Sequence, residues 1–149
     1  MNNLLQRHNQ GINWIELTHL IDQAGLGKRE PADVEQTFKG SFAVSNCVQN
    51  QKIVGAGRAI SDGINTSVIY DVVVMPERQG QGIGRLVMSD LLAQLPKRSV
   101  MLLSVPEKIG FYKKLGFQML KTAMMKHENP EFWIANNYLD CQQLYGVEY

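Results

Sequence analysis

Apolar residues recur every three or four positions in two segments near the start of the chain. Residues 14–24 place Trp14 and several leucine and isoleucine residues at helical spacing, and glycines at positions 25 and 27 end the pattern. Pro31 followed by ADVEQTF predicts a second helix, because proline is favoured in the first helical turn. Gly40 closes this second helix.

Runs of β-branched and small apolar residues come next along the chain. The three runs are SFAVSNCV (41–48), KIVGAGRAI (52–60) and TSVIYDVVVM (66–75). Short polar turns, QNQ and SDGIN, join them, so the pattern predicts three consecutive antiparallel strands. Pro76 ends the third strand.

The second half of the chain alternates helical and strand patterns. Residues 84–95 carry apolar side chains on one helical face, and Pro96 ends that helix. We expect a strand buried on both faces at 99–105, a short helix closed by Gly116 at 107–117, one or two strands within 117–127, and a helix with a tail from Glu128.

This order of elements predicts an α/β fold of the α+β type. A mixed, mostly antiparallel central sheet would be flanked by helices. A chain of 149 residues without repeats or linkers fits a single domain over residues 1–149.

Composition and charge narrow the function classes. Hydrophobic residues make up 44% of the chain and its formal net charge is +1, which argues against a nucleic-acid partner. No apolar run reaches the roughly 20 residues of a membrane span, and the first residues do not resemble a signal peptide. We therefore expect a soluble, cytoplasmic protein without a membrane partner.

Charge is distributed unevenly along the sequence. The segment 77–121 holds eight basic and three acidic residues, a net of +5, which leaves −4 in the remainder. Either this segment meets an anionic ligand, or the clustering is a solvated helix face.

The chemically informative segment is Val72-Val-Val-Met-Pro-Glu-Arg-Gln-Gly-Gln-Gly-Ile-Gly-Arg85. Three glycines at alternate positions follow a strand and open an amphipathic helix, and the N–H groups at such a helix start bind phosphate. No P-loop string is present, and the glycine spacing does not match a dinucleotide fingerprint.

The spacing Gln79-x-x-Gly82-x-Gly84 resembles the acetyl-CoA loop of the GCN5-related N-acetyltransferase (GNAT) family. DVVVMPE before the loop and GFYKKLGF (110–117) after it also resemble segments of that family. The resemblance covers residues 41–120 well, with an acetyl-CoA-binding core at about 66–120. It implies a splayed pair of strands that holds acetyl-CoA, and a first strand within residues 1–13.

The resemblance also assigns site residues. Those expected to contact acetyl-CoA are Val73, Val74, Met75, Gln79, Gly80, Gln81, Gly82, Ile83, Gly84, Arg85, Phe111 and Tyr112. An asparagine common in the family is absent from the segment VPEKIG (105–110), which leaves one contact to the cofactor arm in doubt.

Two residues are candidates for catalysis. Tyr112 aligns with the family's tyrosine that protonates the departing thiolate. Asp71 lies at strand spacing with Val73, so it would share its face; it would either relay a proton or form a salt bridge. His127, Glu128 and Tyr70 are weaker candidates for the base.

We expect no metal site, because the histidines and cysteines lack ligand spacing. Cys47 and Cys141 are too few and too far apart to indicate a disulfide framework.

The resulting hypothesis is an acetyl-CoA-dependent N-acetyltransferase. It would move an acetyl group to an amine of a small molecule or peptide by direct attack in a ternary complex, without a metal. A non-catalytic acetyl-CoA sensor or binding module with the same fold is the alternative. Trp14, Phe38, Trp133 and Tyr138 would form an apolar acceptor wall, belong to the core or form a homodimer contact.

Overall fold

The computed structural model describes residues 4–139. By its contacts the chain divides into two compact units, Met1–Leu103 and Ser104–Tyr149. The single domain expected over 1–149 stays a prediction.

The first unit contains five strands and three helices among its described residues. Asn13 begins the first helix, where its side chain accepts a hydrogen bond from the Glu16 N–H at 3.2 Å. The elements are β1 Leu4–Gln6, α1 Trp14–Gln23, α2 Pro31–Lys39, β2 Ala43–Gln49, β3 Lys52–Ser61, β4 Thr66–Val74, α3 Ile83–Gln94 and β5 Ser99–Leu102.

These strands form one sheet in the order β1-β2-β3-β4-β5. The first four strands pair antiparallel with their neighbours, and β5 joins β4 in parallel. The mixed, mostly antiparallel sheet is confirmed, as are the two N-terminal helices and the three consecutive antiparallel strands. Strand β1 lies within residues 1–13, where a first strand was expected; at three residues it is too short to show an alternating pattern.

Helices cover both faces of the sheet. On one face, α1 and α2 bury Leu17 and Phe38 against strand residues that include Ala56 and Val73. On the other face, α3 packs directly on the glycines of β3: a Cβ on Gly55 would lie 2.7 Å from Ile83 Cγ2. The absent side chain therefore sets how closely α3 approaches the sheet.

Strands β4 and β5 stay paired over only part of their length. Their register runs from Thr66 opposite Ser99 to Ile69 opposite Leu102, where β5 ends. Strand β4 continues to Val74, so its last five residues have no strand partner on that side among the described residues. A gap therefore opens in the sheet beyond Ile69.

A β-bulge in β4 lies where this gap begins. Tyr70 is opposite Arg58 and Val73 is opposite Ala56. The two residues between them on β4, Asp71 and Val72, are therefore opposite a single residue of β3. Asp71 has a φ of +54°, a left-handed conformation that aspartate tolerates better than most residues.

Two arginines hold the Asp71 side chain, which is 4% exposed. Arg29 Nη2, from the connection between α1 and α2, donates to Asp71 Oδ1 at 2.8 Å, and Arg58 Nε donates to Oδ2 at 2.6 Å. Burial by itself would raise the pKa of this carboxyl group, but the hydrogen bonds and charges of the two guanidinium groups outweigh it, so the pKa is lowered. The bulge is thus built around an ionised carboxylate.

The expectation that residues 99–105 are buried on both faces is wrong. Strand β5 covers only Ser99–Leu102, and Met101 and Leu103 are 37% and 55% exposed. The physical reason is position: within residues 4–139, β5 is the edge strand of the sheet, so its side chains are less enclosed than those of a central strand.

The second unit holds two short helices among its described residues, α4 Ile109–Lys113 and α5 Glu131–Ala135. Helix α4 is shorter than expected, and a 3₁₀ turn at Pro106–Lys108 precedes it. Gly116 closes this segment in a left-handed conformation, as predicted, with the Phe117 N–H bonded to the Tyr112 carbonyl at 3.1 Å.

The strands expected within 117–127 are absent from the structure, and this expectation is wrong. The segment is rich in methionine and lysine and poor in the β-branched residues that favour strands. Met119 and Met124, 64% and 94% exposed, contribute little buried area that could fix a strand register.

Asp71→Asn should destabilise the first unit by about 2–4 kcal/mol, because it leaves two partly buried guanidinium groups without their counter-charge. The measurement is the free energy of unfolding in urea at pH 7. The folded carboxyl pKa is lowered, so the stabilisation is complete above the ordinary aspartate pKa and is lost as pH falls below about 4. The difference between wild type and variant should shrink in that range.

Asp90→Asn is the matched control. Asp90 is also buried and paired with an arginine, but the Arg7 side chain is 58% exposed, so water can replace much of that interaction. A loss at Asp71 no larger than the loss at Asp90 would contradict the role given to the Asp71 cluster.

Candidate active site

The gap beyond Ile69 exposes backbone groups of β4. The Met75 N–H donates to the Val54 carbonyl at 2.8 Å, and Val74 is opposite Gly55. In an antiparallel pair this arrangement makes Val74 and Gly55 a non-hydrogen-bonded pair, so the Val74 N–H and carbonyl point away from β3. They point to the side on which β5 has already ended. Val74 therefore presents an amide to the gap.

Of the three strand residues assigned to the cofactor arm, Val74 is the one whose amide faces the gap. Val73 is opposite Ala56 in the adjacent pair, so its N–H and carbonyl point toward β3, and the residue is buried in the core beneath α1 and α2. The Met75 N–H is already bonded to β3. The strand pairing thus distinguishes Val74 from Val73 and Met75, although the resemblance assigns all three to the cofactor arm.

The glycine-rich loop follows the end of β4. A 3₁₀ turn at Pro76–Arg78 leads into Gly80 and Gly82, which have φ values of +76° and +83°. These left-handed conformations favour glycine, and a Cβ at either position would have no atom within 4 Å. Open space therefore lies next to the loop backbone, where an approaching ligand would fit.

Helix α3 begins directly after this loop. Its first hydrogen bond runs from the Leu86 N–H to the Gly82 carbonyl at 3.0 Å. The N–H groups of Ile83, Gly84 and Arg85 therefore have no acceptor within the helix. Together with the positive end of the helix dipole and the exposed Arg85 side chain, they form a site suited to phosphate.

Two glutamine side chains brace the loop. Gln79 Nε2 donates to the Val74 carbonyl, and Gln81 Nε2 donates to the Glu77 carbonyl, both at 3.3 Å. The Gln79 contact links the loop to the end of β4. It also occupies the Val74 carbonyl and leaves the Val74 N–H as the available group.

The candidate base Asp71 lies at the start of the gap, in the ion pairs described above. Its lowered pKa and its two guanidinium partners weaken it as a proton acceptor at neutral pH. Of the two roles open to it from sequence, the structure shows the salt bridge. Tyr70 lies next to it, with the Arg58 guanidinium carbon 5.0 Å from the ring centroid.

Arg29 and Arg58 are site residues that sequence reasoning missed. One signal could have pointed to Arg58: it is the only charged residue between Ile53 and Ile60 in a run of small and apolar residues. Arg29 offers no comparable signal, because it lies in a polar connection 42 positions from its partner.

Tyr112 lies on α4 in the second unit, among aromatic neighbours. Its ring centroid is 5.0 Å from that of Phe111 and 6.1 Å from that of Phe117, both in edge-on orientation. Burial raises the pKa of Tyr112 to about 12. The hydroxyl group therefore keeps its proton throughout the physiological range.

The other residues considered from the sequence make packing and hydrogen-bond contacts within their own units. His127 Nδ1 accepts a hydrogen bond from the Asn129 N–H at 3.0 Å. Trp14 and Phe38 pack on each other in the core of the first unit, and Trp133 packs on Tyr138 in the second. Cys47 is a free, buried thiol, and Cys141 lies outside the described residues.

Two kinds of feature are absent from residues 4–139. No helix there is long and apolar enough to span a membrane. No group of three or more potential His, Cys, Asp or Glu metal ligands occurs in the same part of the chain.

Comparison with known proteins identifies the family. The model of the Acetyltransferase (GNAT) domain matches residues 40–119, more than half of the chain. The uncharacterized N-acetyltransferase ycf52 of Pyropia yezoensis is 38% identical over 116 residues, which cover 73% of this chain and 67% of that protein. Serotonin N-acetyltransferase 2, chloroplastic, of Oryza sativa subsp. japonica is 32% identical over 122 residues, covering 77% and 61%.

The solved structures agree on the fold. A GNAT-family acetyltransferase from Streptococcus pneumoniae TIGR4 has a TM-score of 0.72 at 25% identity, over 87% of this chain and all of that one. The chain spans about two thirds of the length of the curated relatives that it matches. With its mixed sheet, the gap beside β4 and the glycine-rich start of α3, this chain belongs to the GCN5-related N-acetyltransferase (GNAT) family of N-acetyltransferases.

Proposed function

We propose that this protein transfers the acetyl group of acetyl-CoA directly to the amine of a small molecule or peptide within a ternary complex. The observation that carries the proposal is the continuity of the gap beside Val74 with the open N–H groups at the start of α3. Family membership supports the reaction class, because members of this family use acetyl-CoA and amine acceptors.

The residues at the start of α3 fit the pyrophosphate of acetyl-CoA. The N–H groups of Ile83, Gly84 and Arg85 would donate to its oxygens, and the left-handed Gly80 and Gly82 keep side chains out of its way. The exposed Arg85 side chain adds a positive charge.

The gap in the sheet fits the pantetheine arm. An extended chain with amide groups can pair with the unpaired edge of β4 as an added strand would. The Val74 N–H would then serve either an arm carbonyl or the thioester oxygen as negative charge develops on it. A backbone donor of this kind typically contributes about 10²–10³ in rate.

Bound acetyl-CoA supplies a thioester whose carbonyl carbon accepts the amine. The amine attacks in its neutral form, a C–N bond forms, the C–S bond breaks, and the amine proton ends on the sulfur. We propose that Tyr112 delivers a proton to the sulfur and recovers one from the amine.

The pKa of Tyr112 constrains this proton transfer. Between a phenol of pKa about 12 and a thiol of ordinary pKa about 8.5, outright transfer would cost roughly 5 kcal/mol. Tyr112 should therefore act as a relay that gives and receives a proton together, never as a free phenolate. No carboxylate base is needed, since water can accept the proton of an ammonium ion before attack.

The acceptor is an amine, and a relative named serotonin N-acetyltransferase 2 supports small aromatic amines among the acceptors. The cytoplasmic location expected from the sequence stays a prediction, as does the homodimer alternative. Two measurements separate the enzyme from the sensor alternative: thiol release from acetyl-CoA in the presence of a panel of amines, and acetyl-CoA binding. An enzyme releases thiol with at least one amine, whereas a sensor binds acetyl-CoA without releasing thiol.

Gly82→Asp should lower acetyl-CoA affinity at least about 100-fold, because its carboxylate would stand where the pyrophosphate binds at the helix N-terminus. Isothermal titration calorimetry is the measurement.

Gly82→Asn is the matched control. Asparagine has the same size and tolerates the same left-handed conformation, but it is neutral. It should retain much more affinity than Gly82→Asp. Equal affinities in the two variants and the wild type would remove the pyrophosphate assignment.

Tyr112→Phe should lower the single-turnover rate about 10²–10⁴-fold while acetyl-CoA affinity stays nearly unchanged, because only the hydroxyl group is deleted. With a pKa of about 12, Tyr112 stays protonated in the wild type, so the ratio of the two rates should be constant between pH 7 and 10. Pre-steady-state thiol release is the measurement, since product release can mask the chemical step.

Tyr138→Phe provides the control, because Tyr138 is the other described tyrosine of the second unit. It should keep wild-type rates. If Tyr112→Phe also keeps them, Tyr112 is a packing residue and water supplies the proton.

A further inference from the structure

We propose that the preferred acceptor is an amine that also carries a carboxylate, and that Arg29 and Arg58 bind this carboxylate. The inference rests on the proposed transferase function and names the acceptor class for the same site. It comes from the cluster of Arg29, Arg58, Tyr70 and Asp71, which the transfer chemistry itself does not use.

The cluster lies where the gap between β4 and β5 begins. Strand pairing between β4 and β5 ends at Ile69, and Tyr70 and Asp71 are the next residues of β4. In the proposed complex, the arm enters the gap from α3, so the acetyl end lies toward this closed end of the gap. An acceptor amine must reach the same place, which puts the cluster beside it.

The cluster lies on the α1–α2 side of the sheet. Arg58 is two residues from Ala56 on β3, so both side chains point to the face covered by α1 and α2. Arg29 reaches the cluster from the connection between those helices. The α3 helix covers the opposite face and does not block the cluster, and the partial exposure of the Arg29 side chain leaves an opening on the α1–α2 face through which an acceptor can approach.

The cluster has more positive than negative charge. Two guanidinium groups surround one carboxylate, so the cluster carries a net charge of +1. Among the described residues, each arginine side chain gives Asp71 only one hydrogen-bonding nitrogen, although a guanidinium offers five N–H donors. The Arg29 side chain is 30% exposed and that of Arg58 is 11% exposed. Several donors are therefore left for a second anion.

A carboxylate is the anion that the cluster fits best. Guanidinium donors lie in a plane and match the two oxygens of a carboxylate in a paired geometry. Asp71 is a carboxylate held by one nitrogen from each arginine, and it fixes both arginines in place before a ligand arrives. A pre-positioned pair loses little conformational freedom on binding.

Apolar side chains next to the cluster would contact the part of the acceptor that carries no charge. Ile60 and Val68 are opposite each other one pair further along the same face, and Ile60 is 50% exposed. Ile64, in the turn that follows, is 70% exposed. These side chains offer contact for a hydrocarbon or aromatic portion beside the carboxylate. The acceptor class is therefore amino-acid-like: an amine, a carboxylate and an apolar group on one small molecule.

Matched pairs of amines test the proposal. 5-Hydroxytryptophan differs from serotonin, and tryptophan from tryptamine, by one carboxylate. The wild type should show a higher kcat/KM for the acid of each pair. Arg29→Gln should reduce the ratio of acid to neutral amine at least ten-fold, mainly through KM of the acid. Arg29→Lys keeps the charge but loses the planar donor pair, so its ratio should lie between those of the wild type and Arg29→Gln.

Arg7→Gln is the control for the loss of an arginine–aspartate contact elsewhere in the same unit, and it should leave the ratio at its wild-type value. A ratio unchanged in Arg29→Gln, or a wild type that prefers the neutral amine of each pair, would overturn the proposal. O-Phosphoethanolamine and ethanolamine form a further pair, which differs by one phosphate. If only this pair showed an Arg29-dependent preference for the anionic amine, the proposal of a carboxylate site would also be overturned.

Calorimetric titration of 5-hydroxytryptophan into the CoA-saturated protein separates this proposal from the transferase function. Arg29-dependent binding without any acetylation would support the carboxylate site and remove the proposed reaction. Acetylation of both amines of a pair with no effect of Arg29 would retain the reaction and remove the carboxylate site.

Discussion

The ion pairs of Asp71 are the interaction on which the site geometry depends. Strand β4 must carry one extra residue at this point, and that residue holds a left-handed backbone that most side chains disfavour. Two guanidinium groups compensate by fixing the carboxylate from different elements, one from β3 and one from the helix connection. The same contact therefore ties the bulge, the neighbouring strand and the α1–α2 connection together at the start of the gap.

Most of the fold could be predicted from the sequence because its helices and strands have strong local patterns. The apolar spacing of residues 14–24 and the alternation in 66–75 correspond closely to α1 and β4. The failures have one physical cause: burial depends on neighbours that local pattern does not contain. The apolar run at 99–105 lies at an edge of the sheet, and 117–127 buries too little to become a strand.

The candidate site divides in the same way. The phosphate-binding start of α3 was predictable, because glycine spacing, strand end and helix start are all local to residues 72–85. Which amide of β4 faces the gap was not, since that depends on strand register and on where β5 stops. The partners of Asp71 were equally hidden: they lie 13 and 42 positions away and meet it only through the sheet and the helix connection.

The close packing of α3 on Gly55 has a consequence for how this family member tolerates change during evolution. Ile83, which fills the space left by the missing methyl group, is also the first residue of the helix that presents its N–H groups to phosphate. A larger residue at position 55 would push the helix start outward, although it touches no ligand. Selection for cofactor affinity should therefore act on Gly55 in the interior of β3. In a mutational scan for cofactor binding, this buried glycine should behave like a residue of the binding site.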